Sequence, residues 1–182
     1  MIRFLFLLAI VLAIYAIYIY NKLIRFRTMV DEAWSGIDVH LKKRYDLIPN
    51  LVNTVKGYAS HEKELFEKLA GLRAEGMGAN TVKDHIAAET GITRALGQLF
   101  AIAENYPDLK ANQNFVELQR EVSGIESDLQ KARQYYNGTV RNYNIMIDQF
   151  PSNLIASYTK HVPAEFFELS SDAERSVPEI KF

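Results

Sequence analysis

The feature that most constrains the fold is a run of seventeen residues without a charged side chain, from Phe4 to Tyr20. As a helix this run would be about 26 Å long, which is close to the thickness of the hydrocarbon layer of a bilayer. A cleaved signal peptide is the competing interpretation, but such a peptide ends in small residues, and this run continues into Tyr18, Ile19, Tyr20 and Asn21. The run therefore predicts one uncleaved transmembrane helix within residues 1–21.

The residues that flank the run indicate how it would sit in a membrane. Tyrosines belong at the interface, and basic residues favour the cytoplasmic side. Three basic residues follow the run, whereas Arg3 and the terminal amine precede it. This difference of one charge favours a cytoplasmic domain and leaves the opposite orientation open. The predicted anchor and interface residues are Phe4, Tyr15, Tyr18, Tyr20, Lys22, Arg25 and Arg27.

A stripe of apolar residues in steps of three and four follows the anchor, from Val30 to Leu72. This spacing predicts an α-helix over residues 22–74. The stripe passes Pro49 without losing phase, which favours a continuous helix with a kink at Pro49. A fresh helix capped by Asp46, with Pro49 in its first turn, is the alternative.

Two further helices are predicted after the glycines of residues 75–80. Thr81 and Asp84 have the spacing of a capping box that would begin the second helix. Pro107 predicts a turn, and a third stripe in near-heptad steps, typical of coiled-coil packing, ends at Pro151.

No stretch with sustained strand-like alternation competes with these helices, so the chain is predicted to be all-α. We expect the N-terminal transmembrane helix to continue into an antiparallel up-and-down bundle of three to four helices. The predicted boundaries are 1–21 for the anchor, 22–150 for the bundle and 151–182 for a C-terminal tail. Phe166 and Phe167 are the predicted contact residues of that tail.

Part of the first stripe lies near the membrane, where the other two helices are not expected to reach. Its residues must be covered either by the C-terminal tail or by other copies of the chain. The sequence leaves both alternatives open. The residues of this oligomer or packing interface are Trp34, Ile37, Leu41 and Tyr45.

No constellation of residues indicates catalysis, a metal or a cofactor. The chain has no cysteine, and its four histidines lack metal-ligand spacing, so they are interpreted as surface residues. The 21 basic and 22 acidic residues leave no basic field for nucleic acid. We therefore expect a protein that is not an enzyme, with no cofactor and no nucleic-acid partner.

Polar residues inside the predicted helices form a second group. They are expected to fix the register of the bundle through hydrogen bonds between helices, or alternatively to form a polar groove for a partner. The basic triplet at 42–44 is interpreted as a solvated helix face or a contact with anionic lipid. The polar register residues are Asn50, Asn53, Tyr136, Asn137, Tyr143 and Asn144.

Three long segments resemble the LemA family of bacterial membrane proteins. They are "AWSGIDVHLKKRYDLIPNLVNTVKGYASHE", "AENYPDLKANQNFVELQREV" and "ARQYYNGTVRNYNIMIDQFP", and "PAEFFEL" from Pro163 resembles the closing segment of the family. The resemblance implies a helical bundle with one N-terminal span in the bacterial cytoplasmic membrane. It implies no catalytic residue, because the family has no established activity.

The resemblance also motivates functional hypotheses. Similar proteins include one needed for magnetosome membrane formation, and the family often accompanies membrane metalloproteases and stress responses. The first hypothesis is a single-pass scaffold that self-associates into a homo-oligomer and organises or remodels the lipid bilayer. The alternative is an adaptor for a membrane protease or an envelope-stress partner. A concealed enzyme, with a site assembled across helices, comes third.

Overall fold

A computed structural model describes residues 1–168, and these residues are almost entirely helical, with no strand among them. This confirms the prediction of an all-α chain that begins with a long apolar helix. Two compact units can be distinguished: Met1–Leu41 with Glu126–Phe166, and Lys42–Ile125 with Phe167 and Glu168. Residues 169–182 of the predicted tail lie outside the described part. The helices are α1 Ile2–Lys56, α2 Lys63–Gly78, α3 Val82–Ala103, α4 Pro107–Lys110, α5 Gln113–Asp148 and α6 Ser152–Tyr158.

The N-terminal part of α1 presents its apolar side chains to the outside. Among the described residues, α1 is the helix that is long and apolar enough to cross a membrane. Its side chains are almost all exposed as far as Tyr18, and burial begins at Ile19 and Leu23. The helix therefore passes from its apolar segment into the first unit without a linker.

In the first unit, α1 and α5 run antiparallel. The rings of Trp34 and Tyr136 are in contact, with centroids 5.5 Å apart. Just beyond the end of α1, the Tyr58 hydroxyl accepts a hydrogen bond at 2.9 Å from Nδ2 of Asn112, which comes just before α5. Moving forward along α1 from Trp34 thus corresponds to moving backward along α5 from Tyr136 by the same number of residues, as an antiparallel pair requires.

The membrane-proximal stripe is largely covered by this chain itself. Ile37 and Leu41 are buried in the first unit, Trp34 is half-buried against Tyr136, and Tyr45 is buried in the second unit. Ile37, Leu41 and Tyr45 are therefore packing residues that another copy of the chain could not reach on this surface.

In the second unit, α2 and α3 form an antiparallel pair. Thr81 caps α3 by accepting a hydrogen bond from the Asp84 N–H at 3.2 Å, which confirms Thr81 as the residue that begins this helix, while the Asp84 carboxylate accepts from the Thr81 hydroxyl at 2.7 Å. A Cβ atom at Gly91 would lie 2.6 Å from Cδ2 of Leu72, so glycine allows the two helices to approach closely. Phe100 of α3 contacts Phe115 of α5 edge to face.

The predicted helix over residues 22–74 was wrong at one point, because α1 ends at Lys56 and α2 begins at Lys63. A turn closes the end of α1, with the N–H groups of Tyr58 and Ala59 both bonding the carbonyl of Val55. Ala59 is nonetheless fully buried. The apolar spacing therefore continues across the turn, which is why periodicity did not reveal it.

Helix α1 continues through Pro49, as the phase of the stripe predicted, while a kink there stays a prediction. Proline has no N–H to donate to the carbonyl four residues earlier, which belongs to Tyr45. The Nε of Arg73 on α2 donates to this carbonyl instead, at 2.7 Å. An arginine from a neighbouring helix thus compensates for the bond that the proline removes.

This arrangement predicts an energetic coupling between Pro49 and Arg73. Replacing Arg73 by methionine should cost about 1.5–3 kcal/mol, because a partly buried carbonyl loses a charged donor. In a Pro49→Ala background the cost should be smaller, because the alanine would donate its own N–H to the Tyr45 carbonyl. Denaturant unfolding of the full chain in detergent, arranged as a double-mutant cycle, measures the coupling. An equal cost in both backgrounds would refute it, and exposed Arg94→Met is the control.

Candidate tail-binding groove

The first unit holds residues 161–166, a segment without regular secondary structure, against one face of α5. Residues 136, 143 and 144 place their side chains on this face because seven residues complete almost two helical turns. The rings of Tyr136 and Tyr143 are buried, and Asn144 is half-buried. We call the surface formed by Tyr136, Tyr143 and Asn144, with Trp34 of α1 beside it, the tail-binding groove.

Asn144 binds the backbone of Ala164 at two points. Its Nδ2 donates to the Ala164 carbonyl at 3.0 Å, and its Oδ1 accepts from the Ala164 N–H at 2.9 Å. A side-chain amide thereby satisfies both backbone groups of one residue, as a neighbouring strand would in a sheet. Because both bonds are to backbone, they fix the position of the segment without selecting its side chains.

The two tyrosines hold the segment on either side of the hydrogen bonds from Asn144. The Tyr136 hydroxyl donates to the Glu165 carbonyl at 2.8 Å. The Tyr143 hydroxyl and Nδ1 of His161 are 3.0 Å apart, and the two rings meet edge to face. The segment is therefore attached at three places, through side chains that all come from α5.

The environment of the groove shifts two pKa values. Burial raises the pKa of Tyr136, and the carboxylates of Glu165 and Asp31 raise it further. The phenol of Tyr136 consequently stays protonated, as a donor to the Glu165 carbonyl must be. Its contribution to holding the segment is lost only as the pH rises above about 10. Burial lowers the pKa of His161, and the nearby charge of Arg27 lowers it further.

The lowered pKa of His161 predicts that acid weakens the attachment of residues 161–166 to the groove. Once released, His161 has its ordinary pKa near 6.5, so the released segment binds the proton more readily than the held one. Holding should be strongest above about pH 6.5 and should decline as the pH falls below it. Spin labels on cysteines at exposed Tyr135 and Val162 should report a broader distance distribution at about pH 5.5 than at about pH 7.5.

A matched pair of substitutions tests the source of this pH dependence. His161→Gln should remove it, whereas His61→Gln should leave it unchanged because His61 is exposed and lies in the second unit. If the His161 variant broadens with acid as the parent does, another group is responsible.

Among residues 1–168, no cluster of three or more histidine, aspartate and glutamate side chains could hold a metal ion. The groove itself contains two phenols, an amide and an indole. Most of its contacts to the segment are hydrogen bonds to backbone groups, so its evident chemical capacity is to bind a peptide through its backbone.

Comparison with known proteins decides the family of the chain. The model of the LemA family matches residues 33–182, which include Trp34, the whole of α5 and the segment in the groove. The chain belongs to the LemA family. This confirms the resemblance of the three sequence segments, and the chain is accordingly a membrane-associated protein with one candidate N-terminal membrane helix.

Three relatives illustrate how far the likeness to other LemA-like chains extends. Magnetosome protein MamQ 2 of Paramagnetospirillum magneticum is 24% identical, over 82% of this chain and 64% of the relative. Magnetosome protein MamQ of Magnetospirillum gryphiswaldense is 23% identical, over 78% and 63%. Protein LemA of Metamycoplasma hominis is 26% identical, over 88% and 73%. The chain thus spans just under two thirds of the length of the magnetosome relatives.

The structure brings together only some of the polar residues singled out in this LemA-family sequence. Tyr136, Tyr143 and Asn144 meet at the groove, and Asn137 is half-buried on the same helix. Asn50 and Asn53 are exposed in the second unit, so the expectation that they are buried register residues was wrong. They lie on the side of α1 opposite the buried residues Ile48, Leu51 and Val55.

The predicted anchor, interface and tail residues are also distributed unequally. Phe4, Tyr15, Tyr18 and Tyr20 are exposed along α1, as are Lys22, Arg25 and Arg27. Phe166 is 40% exposed, whereas Phe167 is buried. The two aromatic residues of the tail therefore have different surroundings despite being adjacent.

Two of the earlier interpretations require correction. The triplet 42–44 is not a uniform solvated face: Lys42 and Lys43 are exposed, but Arg44 is buried and pairs with Glu89 at 2.7 Å. His161 is not a surface helix residue, since it lies beyond α6 and contacts Tyr143. The signal for Arg44 was its place next to the stripe positions 41, 45 and 48. No comparable signal in the sequence indicated His161.

Proposed function

We propose that this chain is a non-catalytic, membrane-anchored helical scaffold that self-associates and organises the bilayer of the bacterial cytoplasmic membrane. The observation that carries the proposal is the continuity of α1 from its exposed apolar segment into the buried core of the first unit. An enzyme that is only held at a membrane needs no more than a linker to its anchor, and such linkers are often flexible. A helix without a linker fixes the orientation of the attached unit to the membrane, which favours a structural role.

The relatives add support of a different kind. Two of the proteins that this chain matches are named as magnetosome proteins. The region that this chain shares with them supports a role at a membrane.

The native mass of the full chain in nanodiscs and in a mild detergent tests self-association. We expect a discrete assembly larger than the monomer. A monomer at every concentration and in every detergent would end the scaffold proposal. If an assembly forms, reconstitution into vesicles at increasing protein-to-lipid ratios, followed by electron microscopy, tests whether it changes their shape.

The surface used for self-association can be examined with an exposed residue of the membrane-proximal stripe segment. Val39 is 54% exposed on α1 of the first unit. Val39→Lys should reduce the mass of the assembly if this segment contacts another copy. Met77→Lys, at a similarly exposed residue of α2, is the matched control. An unchanged mass in both variants would show that self-association does not depend on this segment of α1.

The tail-binding groove favours a second candidate, an adaptor that presents or exchanges a peptide with a membrane protease or stress-response partner. The groove holds backbone groups of Ala164 and Glu165, while Val162 and Phe166 remain exposed to a partner. Deleting residues 163–182 and crosslinking the full membrane-bound protein in cells tests this candidate. An identical set of crosslinked partners with and without the deletion would exclude it.

A further inference from the structure

The turn from α5 into α6 and the outer face of α6 carry large apolar side chains that no described part of the chain covers. Phe150, Leu154 and Tyr158 are 74%, 61% and 88% exposed. The opposite side of α6, with Ser152 and Ala156, is buried. Helix α6 therefore has a small-residue inner face and an apolar outer face, and the outer face requires an explanation. We call the three exposed residues the α5–α6 corner.

The register of α1 and α5 gives the level of this corner along α1. Trp34 lies beside Tyr136, the helices are antiparallel, and both rise about 1.5 Å per residue. Ile147 comes eleven residues after Tyr136 on α5, and Leu23 comes eleven residues before Trp34 on α1. The two residues are therefore at the same level along the pair of helices. Both of these side chains are buried. By the same register Phe150 is level with Tyr20, where the charge-free run ends.

The charged residues near this level suit a membrane surface. Lys22 and Arg25 are exposed on α1, and Lys160 is exposed just after α6. Asp148 lies at the same level, but the three cations leave the local charge positive. Apolar and aromatic side chains beside cations are the pattern that proteins show at the headgroup region of anionic bilayers.

We propose that the α5–α6 corner is a second membrane contact, in which Phe150, Leu154 and Tyr158 enter the interfacial region of the bilayer beside the span. The exposed apolar surface of α1 continues up to the level of the corner, and the lipid that covers one covers the other. The contact would restrain the tilt of the first unit over the membrane. It rests on the membrane association of α1 and does not depend on whether the chain self-associates.

The absence of cysteine from the sequence allows a direct test. A single cysteine at Leu154 carries the environment-sensitive fluorophore NBD, and the full chain is placed in nanodiscs of phosphatidylcholine and phosphatidylglycerol. The discs contain either ordinary lipids or lipids with brominated acyl chains, which quench the fluorophore on contact. We expect blue-shifted emission that loses most of its intensity in the brominated discs, and the same behaviour for a label at Tyr158.

Two positions on the neighbouring helices provide controls. Ile17→Cys, in the apolar segment of α1, should be quenched. Tyr135→Cys is a similarly exposed aromatic position on α5, about 22 Å before Phe150, and should not be quenched. Labels at Leu154 and Tyr158 that behave like the one at Tyr135 would overturn the proposal. A blue shift without bromine quenching would also overturn it, because protein, such as a second copy, would then cover the corner.

Discussion

Replacing Glu89 by leucine is expected to lower the free energy of unfolding by about 3–5 kcal/mol, because the substitution removes one partner of a buried ion pair. The Arg44 and Glu89 side chains are 1% and 0% exposed, and Nη1 of Arg44 lies 2.7 Å from Oε2 of Glu89. Arg44 also donates to the Thr93 hydroxyl at 2.9 Å. Without the carboxylate, a buried guanidinium would keep its desolvation cost and lose its principal compensation.

The measurement is denaturant unfolding of the full chain in detergent, followed by circular dichroism. Hydrogen exchange localises the effect, and protection should fall in the second unit, where α1 from Lys42, α2 and α3 lie. Trp34, the single tryptophan, belongs to the first unit and gives a separate fluorescence signal.

Two further variants separate the charge effect from the change in packing. Combining Glu89→Leu with Arg44→Met removes both charges and should recover much of the lost stability. Glu104→Gln breaks an exposed pair with Lys110 and should cost less than about 1 kcal/mol. If Glu89→Leu costs no more than Glu104→Gln, the buried pair does not stabilise the second unit.

The periodicity of apolar residues predicted the helices well because it depends on local spacing alone. It identified α3 and α5 and carried α1 through Pro49. It missed the end of α1 near Gly57, because buried Ala59 on the far side of the turn preserved the apolar spacing. It also left residues 152–158 in the tail, although they form α6, since so short a segment does not establish a period.

The candidate site was less predictable because it depends on contacts between distant parts of the chain. The seven-residue spacing of Tyr136 and Tyr143 indicated a shared face, but it did not show what that face binds. Its occupant is the backbone of Ala164 and Glu165, and backbone groups leave no mark in a sequence. The pairing of Arg44 with Glu89 was similarly concealed: the place of Arg44 beside the stripe indicated burial, but nothing in the sequence indicated which carboxylate would accompany it in the core.

The second large effect is expected when the hydrogen bonds from Asn144 to Ala164 are removed. Asn144→Leu keeps a branched side chain of similar length but removes both hydrogen bonds to Ala164. The loss should favour release of residues 161–166 by about 2–3 kcal/mol, since each bond contributes roughly 1 kcal/mol and the partly buried backbone groups of Ala164 would lose their partner. Release is a local opening, so the free energy of unfolding of the second unit should not change.

Hydrogen exchange at the Ala164 N–H measures the opening. A cost of this size should accelerate its exchange roughly 30- to 150-fold, at about 1.4 kcal/mol for each tenfold change. Gln134→Leu, which removes an exposed amide from the same helix, is the control and should leave the rate unchanged. Unchanged protection in the Asn144 variant would mean that Tyr136 and Tyr143 hold the segment by themselves. An accelerated rate would establish Asn144 as the residue that keeps the groove occupied, and would provide a variant in which its affinity for other peptides can be measured.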